Sequence, residues 1–234
     1  MIERDIKKLV ISKINDKKAV VILGARQTGK TTFIENLLSG SEYLLIDCDD
    51  PVNQNLLENA NTETLKRIIG SHNTVFIDEA QRVNNIGLLI KIIIDRIRHI
   101  KIFVSGSSSL DISNLVNEPL TGRKWEYYLY PLSWNEMQNH YGYLTMRQQL
   151  ETRLIYGNYP EVVTHPGQAE EIIKQLSISY LYKDILQFGG IRKPDILSKL
   201  LKLLAFQAGS EVSLNELAGK LQIDKKTVDT YIQL

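Results

Sequence analysis

Ala19-Val20-Val21-Ile22-Leu23 runs directly into Gly24-Ala25-Arg26-Gln27-Thr28-Gly29-Lys30-Thr31, and the fold is decided by this one stretch. The first five residues are aliphatic and β-branched without polar alternation, the pattern of a strand buried on both faces of a parallel sheet. The next eight match G-x-x-x-x-G-K-[ST], set between a strand and an amphipathic helix as that motif requires. Its glycines let the backbone wrap so that successive N–H groups point at one anion, and the helix starting near Gly29 adds the positive end of its dipole. Gly24, Ala25, Gln27, Thr28 and Gly29 then form a cradle for phosphates, and Lys30 reaches the β- and γ-phosphates. The Thr31 hydroxyl is a hard oxygen ligand suited to Mg²⁺, with Thr32 and Thr28 beside the phosphate oxygens.

Outward from this stretch, short apolar runs at 43–46, 74–77 and 101–104 alternate with helical spacing at 31–38, 61–69 and 86–98. Such alternation predicts an α/β fold of parallel strands joined by crossover helices. A fifth strand is expected over 125–132. After Pro131 helical periodicity takes over, at 133–140, 146–156, 168–186 and 194–208. The last stretch, 213–221 and 225–234, reads as two helices around a turn at Gln222-Ile223-Asp224, the helix-turn-helix of a winged-helix module. Ser213 with Glu216 fits a capping box. The expected organisation is a nucleotide-binding core at 1–140, a helical lid at 141–193 and a partial winged helix at 194–234. The chain stops inside its last helix without a wing hairpin, so it reads as a piece of a longer protein.

A second motif supports the first. Val75-Phe76-Ile77-Asp78-Glu79 is a hydrophobic strand ending in two carboxylates. Asp78 is placed to hold Mg²⁺ opposite Thr31, and Glu79 to orient or deprotonate an attacking water. The nucleotide follows by elimination: there is no N-K-x-D for guanine, no D-x-x-G, and no L-S-G-G-Q. ATP is the expected nucleotide. At the end of the fourth strand, Ser105 and Ser107 either sense the γ-phosphate or cap the helix that follows. Arg123 either supplies a positive charge to the transition state, in this protomer or a neighbouring one, or makes an ordinary ion pair.

Composition removes other classes. The 28 Lys+Arg and 27 Asp+Glu nearly cancel, so no global field gathers nucleic acid. A single cysteine, Cys48, forms no internal disulfide, and four scattered histidines make no metal cluster. No apolar run approaches a membrane span, and the opening Met1-Ile2-Glu3-Arg4-Asp5 is too charged for a secretory signal, so a cytoplasmic location is expected.

In this order the motifs resemble the AAA+ and STAND group of P-loop ATPases, and most closely the prokaryotic AAA_14 family, whose members often carry a C-terminal DUF4143 region. The resemblance also rests on Ser105-Gly106-Ser107-Ser108, Leu120-Thr121-Gly122-Arg123, Leu129-Tyr130-Pro131-Leu132-Ser133-Trp134-Asn135-Glu136 and Gly157-Asn158-Tyr159-Pro160-Glu161. It implies a P-loop NTPase sheet in 51432 order, followed by a winged helix. It also implies that Pro160, with Tyr159, lines the base pocket; an ordinary turn between helices is the other reading. The DUF4143 region is not expected within these 234 residues.

The function this supports is an ATPase that hydrolyses ATP with Mg²⁺ as a molecular switch, passing the state of the γ-phosphate to the helical and winged-helix parts. The alternative is a nucleotide-gated module that binds DNA or protein with little hydrolysis. Residues 211–234 carry Lys220, Lys225 and Lys226 against Glu211, Glu216, Asp224 and Asp229, a poor footprint for phosphate contacts. A protein partner or self-association is therefore favoured over DNA. Arg192-Lys193 either reach the nucleotide from the lid or are solvated.

Overall fold

The computed structural model describes residues 1–97, 99–107, 119–179 and 194–233. They form two compact units, Met1–Pro166 and Gly167–Leu234.

The first unit is built on a five-stranded sheet of β1 (Ala19–Leu23), β2 (Leu44–Asp47), β3 (Thr74–Asp78), β4 (Lys101–Gly106) and β5 (Lys124–Tyr128). The order is β2-β3-β4-β1-β5 with every pairing parallel, which read from the other edge is 51432. β1 and β3 are buried along their whole length, whereas the edge strands β2 and β5 are only partly covered. Side chains alternate between faces. Val21 and Leu23 face Leu57, Leu65, Ile86 and Ile90, from α3 (Pro51–Glu58), α4 (Thr62–Ile69) and α5 (Ile86–Arg96). Val20 and Ile22 face Val10 of α1 (Lys7–Lys13) and Phe33 and Ile34 of α2 (Lys30–Leu38). The result is helix on both faces of the sheet, each layer held by apolar burial at about 25 cal/mol per Å².

Three helices have no counterpart in the sequence reading: α1, α3 and the short helix at Pro160–Thr164. α1 is short and rich in lysine. α3 carries a start signal that the periodicity hid: Asp50 accepts from Val52 N at 2.8 Å, and Pro51 stands at the first helical position. The strand ends also move, since β5 stops at Tyr128 rather than 132.

The helical segment expected as a lid is divided. α6 (Trp134–Tyr141), α7 (Tyr143–Gln148), α8 (Leu150–Tyr156) and α9 (Pro160–Thr164) belong to the first unit. Met137, Met146 and Val163 there share a core with Leu132 and with Ile2 of the N-terminal segment. The second unit contains α10 (Ala169–Ser179), α11 (Pro194–Phe206), α12 (Leu214–Leu221) and α13 (Lys225–Gln233). Leu197 and Leu200 of α11 pack with Leu217 and Leu221 of α12 and Val228 and Tyr231 of α13. Gln222, at φ 54°, makes the turn between the last two helices. Ser213 accepts from Glu216 N at 3.4 Å, one half of the expected capping box.

Candidate functional site

The site lies at the carboxyl ends of β1, β3 and β4, the edge at which parallel α/β sheets bind ligands. Gly24 leaves β1 against the chain beyond β5: a Cβ there would sit 2.3 Å from the Leu129 carbonyl oxygen. Only glycine fits so close an approach. Gln27 (φ 58°) and Gly29 (φ 88°) then turn the backbone through the left-handed region into α2. Gly29 occupies the N-cap, no acidic side chain stands in the first turn, and the helix opens with Lys30-Thr31-Thr32. Unpaired N–H groups at such an end attract anions. The loop is internally braced, because Thr28 Oγ1 and Lys30 Nζ both donate to the Ala25 carbonyl, at 2.9 and 3.0 Å.

Thr31 and Asp78, 47 residues apart in sequence, are joined by a hydrogen bond from Thr31 Oγ1 to Asp78 Oδ2 at 2.8 Å. The other carboxylate oxygen, Oδ1, accepts from Ser105 Oγ and from Glu79 N at 3.2 Å. Ser105 is fully buried, and its Oγ also accepts from Glu79 N at 3.1 Å, so it ties the end of β4 to the end of β3. Glu79 adopts left-handed backbone angles, φ 49° and ψ 43°. Its Oε2 accepts from Gln81 Nε2, and Gln81 Oε1 accepts from Ser107 N at 3.3 Å. Beside these carboxylates Cys48 is buried, and burial, with the negative charges of Asp47, Asp78, Asp49 and Glu79, pushes its thiol up to about 12. It is no nucleophile at neutral pH.

A further set of contacts comes from the N-terminal segment, which the sequence reading used only to exclude a secretory signal. Arg4 Nη1 donates to the Thr28 carbonyl at 2.9 Å, and Nη2 donates to the Tyr130 carbonyl. Its Nε pairs with Glu136 Oε1 at 3.1 Å, with both side chains at most a tenth exposed. Glu136 closes a true capping box with Ser133 at the start of α6 and also accepts from Asp5 N at 2.8 Å. Arg4 thus clamps a phosphate-loop carbonyl to α6. Next to it lies a cavity of about 410 Å³, lined by Ile2, Arg4, Gly29, Thr32, Leu132 and Pro160 among others.

Lys30, Thr31, Asp78, Glu79, Ser105 and Ser107 are therefore gathered at one edge of the sheet, with Thr32 and Pro160 on the adjoining cavity. Arg123 is not among them. Its carbonyl accepts from Ala19 N at 2.9 Å, at the start of β1, the full length of that strand from the phosphate loop, about 16 Å. There it pairs with Asp95 at 2.9 Å, a hydrogen bond that raises the basicity of the guanidinium and lowers that of the carboxyl. It stands at the opposite end of β1 from the phosphate loop. Ser108 and Arg192-Lys193 lie outside the described residues.

The 51432 parallel sheet, the glycine-rich loop at the head of α2 and the Thr31–Asp78 contact define a P-loop NTPase. The AAA_14 family, an AAA domain, matches residues 16–138, more than half of the chain, and the chain belongs to that family. Residues 147–234 match DUF8612, a domain of unknown function, rather than a DUF4143 region. The uncharacterized protein MJ1544 of Methanocaldococcus jannaschii is 25% identical over 257 residues, covering 100% of this chain and 57% of that protein. The uncharacterized protein Rv2008c of Mycobacterium tuberculosis is 23% identical over 216 residues, covering 91% and 46% respectively. The chain thus spans about half the length of the curated relatives it matches. Among solved structures, the Walker-type ATPase paby2304 of Pyrococcus abyssi is similar in fold, with a TM-score of 0.57 at 15% identity, covering 100% of this chain and 96% of that one. No helix among the described residues is long and apolar enough to cross a membrane.

Proposed function

We propose that this chain binds ATP and hydrolyses it slowly as a molecular switch. The observation that carries the reading is the Thr31 to Asp78 hydrogen bond, which brings the hydroxyl of the phosphate loop and the carboxylate of β3 to one point, with Glu79 next in the chain. The triphosphate lies along the N–H groups of residues 24–31. Lys30 releases the Ala25 carbonyl to meet the β- and γ-phosphates, and Ser107 faces the γ-phosphate. The base enters the cavity walled by Thr32 and Pro160, where the Arg4 clamp keeps phosphate loop and base pocket in register.

Thr31 and Asp78 supply hard oxygens, one hydroxyl and one carboxylate, which fit Mg²⁺. When bound, Mg²⁺ neutralises charge that develops on the phosphate oxygens. Glu79 accepts a proton from the water that attacks the γ-phosphorus as the bond to the β–γ bridging oxygen breaks. Ser105, committed to Asp78 and Glu79 N, holds the two strand ends together rather than sensing phosphate. Arg123 serves catalysis only by reaching the site of a neighbouring protomer. The acidic balance of residues 211–234 favours a protein partner over DNA for the switch.

Calorimetry of MgATP with wild type and Lys30→Ala, followed by phosphate release on the same samples and on Glu79→Gln, tests the reading. Binding lost in Lys30→Ala, and kept in Glu79→Gln with turnover reduced about 10²- to 10⁴-fold, is the expected result. Turnover by Glu79→Gln at the wild-type rate overturns the assigned base.

A further inference from the structure

We propose that Gln81 is a positioning residue that couples the carboxylate of Glu79 to the end of β4, so that the base is aligned only when Ser107 is correctly placed. The inference rests on the ATPase reading and deepens it. Gln81 lies in the short 3-10 turn Ala80–Arg82 that follows β3, two residues beyond Glu79. Its amide is used at both ends: Nε2 donates to Glu79 Oε2, while Oε1 accepts from Ser107 N at 3.3 Å. These unlike partners fix which end is nitrogen and which is oxygen, since a carboxylate only accepts and a backbone N–H only donates.

The rest of the local structure makes the link directional. The backbone of Glu79 is held in the left-handed region, and its N–H is anchored to Asp78 Oδ1 and Ser105 Oγ. With main chain and β3 end pinned, the carboxylate's remaining freedom is side-chain rotation. Gln81 takes up that freedom and refers the carboxylate to Ser107, 26 residues away from Gln81 and just beyond the end of β4. A γ-phosphate that draws the Ser107 segment toward it moves Gln81 Oε1, and with it the donor that orients Glu79. Few side chains can replace it. Met keeps the shape and loses both hydrogen bonds; Glu keeps an acceptor for Ser107 N but sets a second carboxylate against Glu79.

The test is steady-state hydrolysis with ATP affinity measured separately by calorimetry, on wild type, Gln81→Met and Gln81→Glu, and on Gln81→Met combined with Glu79→Gln. The expected result is kcat lower by about 10- to 100-fold in both single variants, as for a misplaced catalytic group, with ATP Kd within twofold of wild type. In the Glu79→Gln background, Gln81→Met has no further effect, because residues that act as one unit are not additive. Wild-type kcat in Gln81→Met or in Gln81→Glu overturns the inference. So does a loss of ATP affinity that matches the loss of kcat, which marks a merely structural role. If wild type releases no phosphate, the ATPase reading fails and the inference falls with it; if Glu79→Gln alone is as active as wild type, the assigned base is wrong and the inference is overturned; if Glu79→Gln is inactive and Gln81→Met is not, only the inference fails.

Discussion

Thr31 Oγ1 donates to Asp78 Oδ2 across 2.8 Å, and this contact joins the first turn of the helix after β1 to the end of β3. β1 and β3 are not neighbours in the sheet, so the contact brings together a hydroxyl and a carboxylate that strand pairing alone does not. Asp78 is nearly buried and accepts at both oxygens, so its carboxylate is oriented as well as charged.

Asp78→Asn keeps the size of the side chain and removes the charge. Phosphate release at saturating Mg²⁺ is expected to fall roughly 100-fold or more, a loss of a few kcal/mol of charge stabilisation. ATP binding measured in EDTA is expected to be unchanged. Wild-type turnover in this variant sinks the cation assignment.

Arg4 and Glu136 form a clamp whose contribution is separable. Arg4→Ala leaves the Glu136 carboxylate buried without its cation and the Thr28 carbonyl without that donor, a destabilisation of about 3 kcal/mol by chemical denaturation. The Arg4→Ala, Glu136→Ala double-mutant cycle should return a coupling of at least about 1 kcal/mol. Additive single effects show that the pair does not act as one.

Two glycines of the phosphate loop separate close approach from backbone strain. At Gly24 a Cβ meets the backbone of Leu129 at 2.3 Å, while at Gly29 it meets nothing within 4 Å but sits at φ +88°. Gly29→Ala is expected to cost about 1–2 kcal/mol, the left-handed penalty. Gly24→Ala must shift the chain beyond β5, and is expected to cost more and to abolish ATP binding. Equal denaturation midpoints for the two variants contradict this geometry.

Cys48 provides a pH test. Its thiol is raised from 9.0 to about 12 in the folded chain, chiefly by burial. The unfolded chain therefore loses this proton first, and stability present below pH 9 is lost as pH rises from about 9 towards 12, at no more than about 1.4 kcal/mol per pH unit. Unfolding curves of wild type and Cys48→Ser should diverge only above pH 9. Iodoacetamide at pH 8 should label the native thiol far more slowly than the denatured one.

The site was legible where its chemistry is local. The phosphate loop and the Asp78-Glu79 pair are contiguous residues following apolar runs, and the structure gathers them at one edge. The long-range roles of Arg4, Gln81 and Glu136 were missed because each depends on a partner brought near only by folding: Arg4 meets Glu136 across 132 residues, and Gln81 meets Ser107 across 26. Arg123 carried a usable signal. In an all-parallel sheet a residue just before a strand lies at the opposite edge from a loop just after one, and Arg123 precedes β5 whereas the phosphate loop follows β1.

By itself the sequence determined the strands buried on both faces, the phosphate-binding turn and the helix-turn-helix near the end, since hydrophobic period, glycine placement and capping residues act within a few neighbours. Only the tertiary structure decided that the first residues close over the phosphate loop, that the helices through Thr164 belong with the sheet, and that Gln81 bridges Glu79 and Ser107. The reason is physical: which distant groups meet depends on strand order and on how the chain closes its longest loops, and no local period encodes a contact between side chains far apart along it.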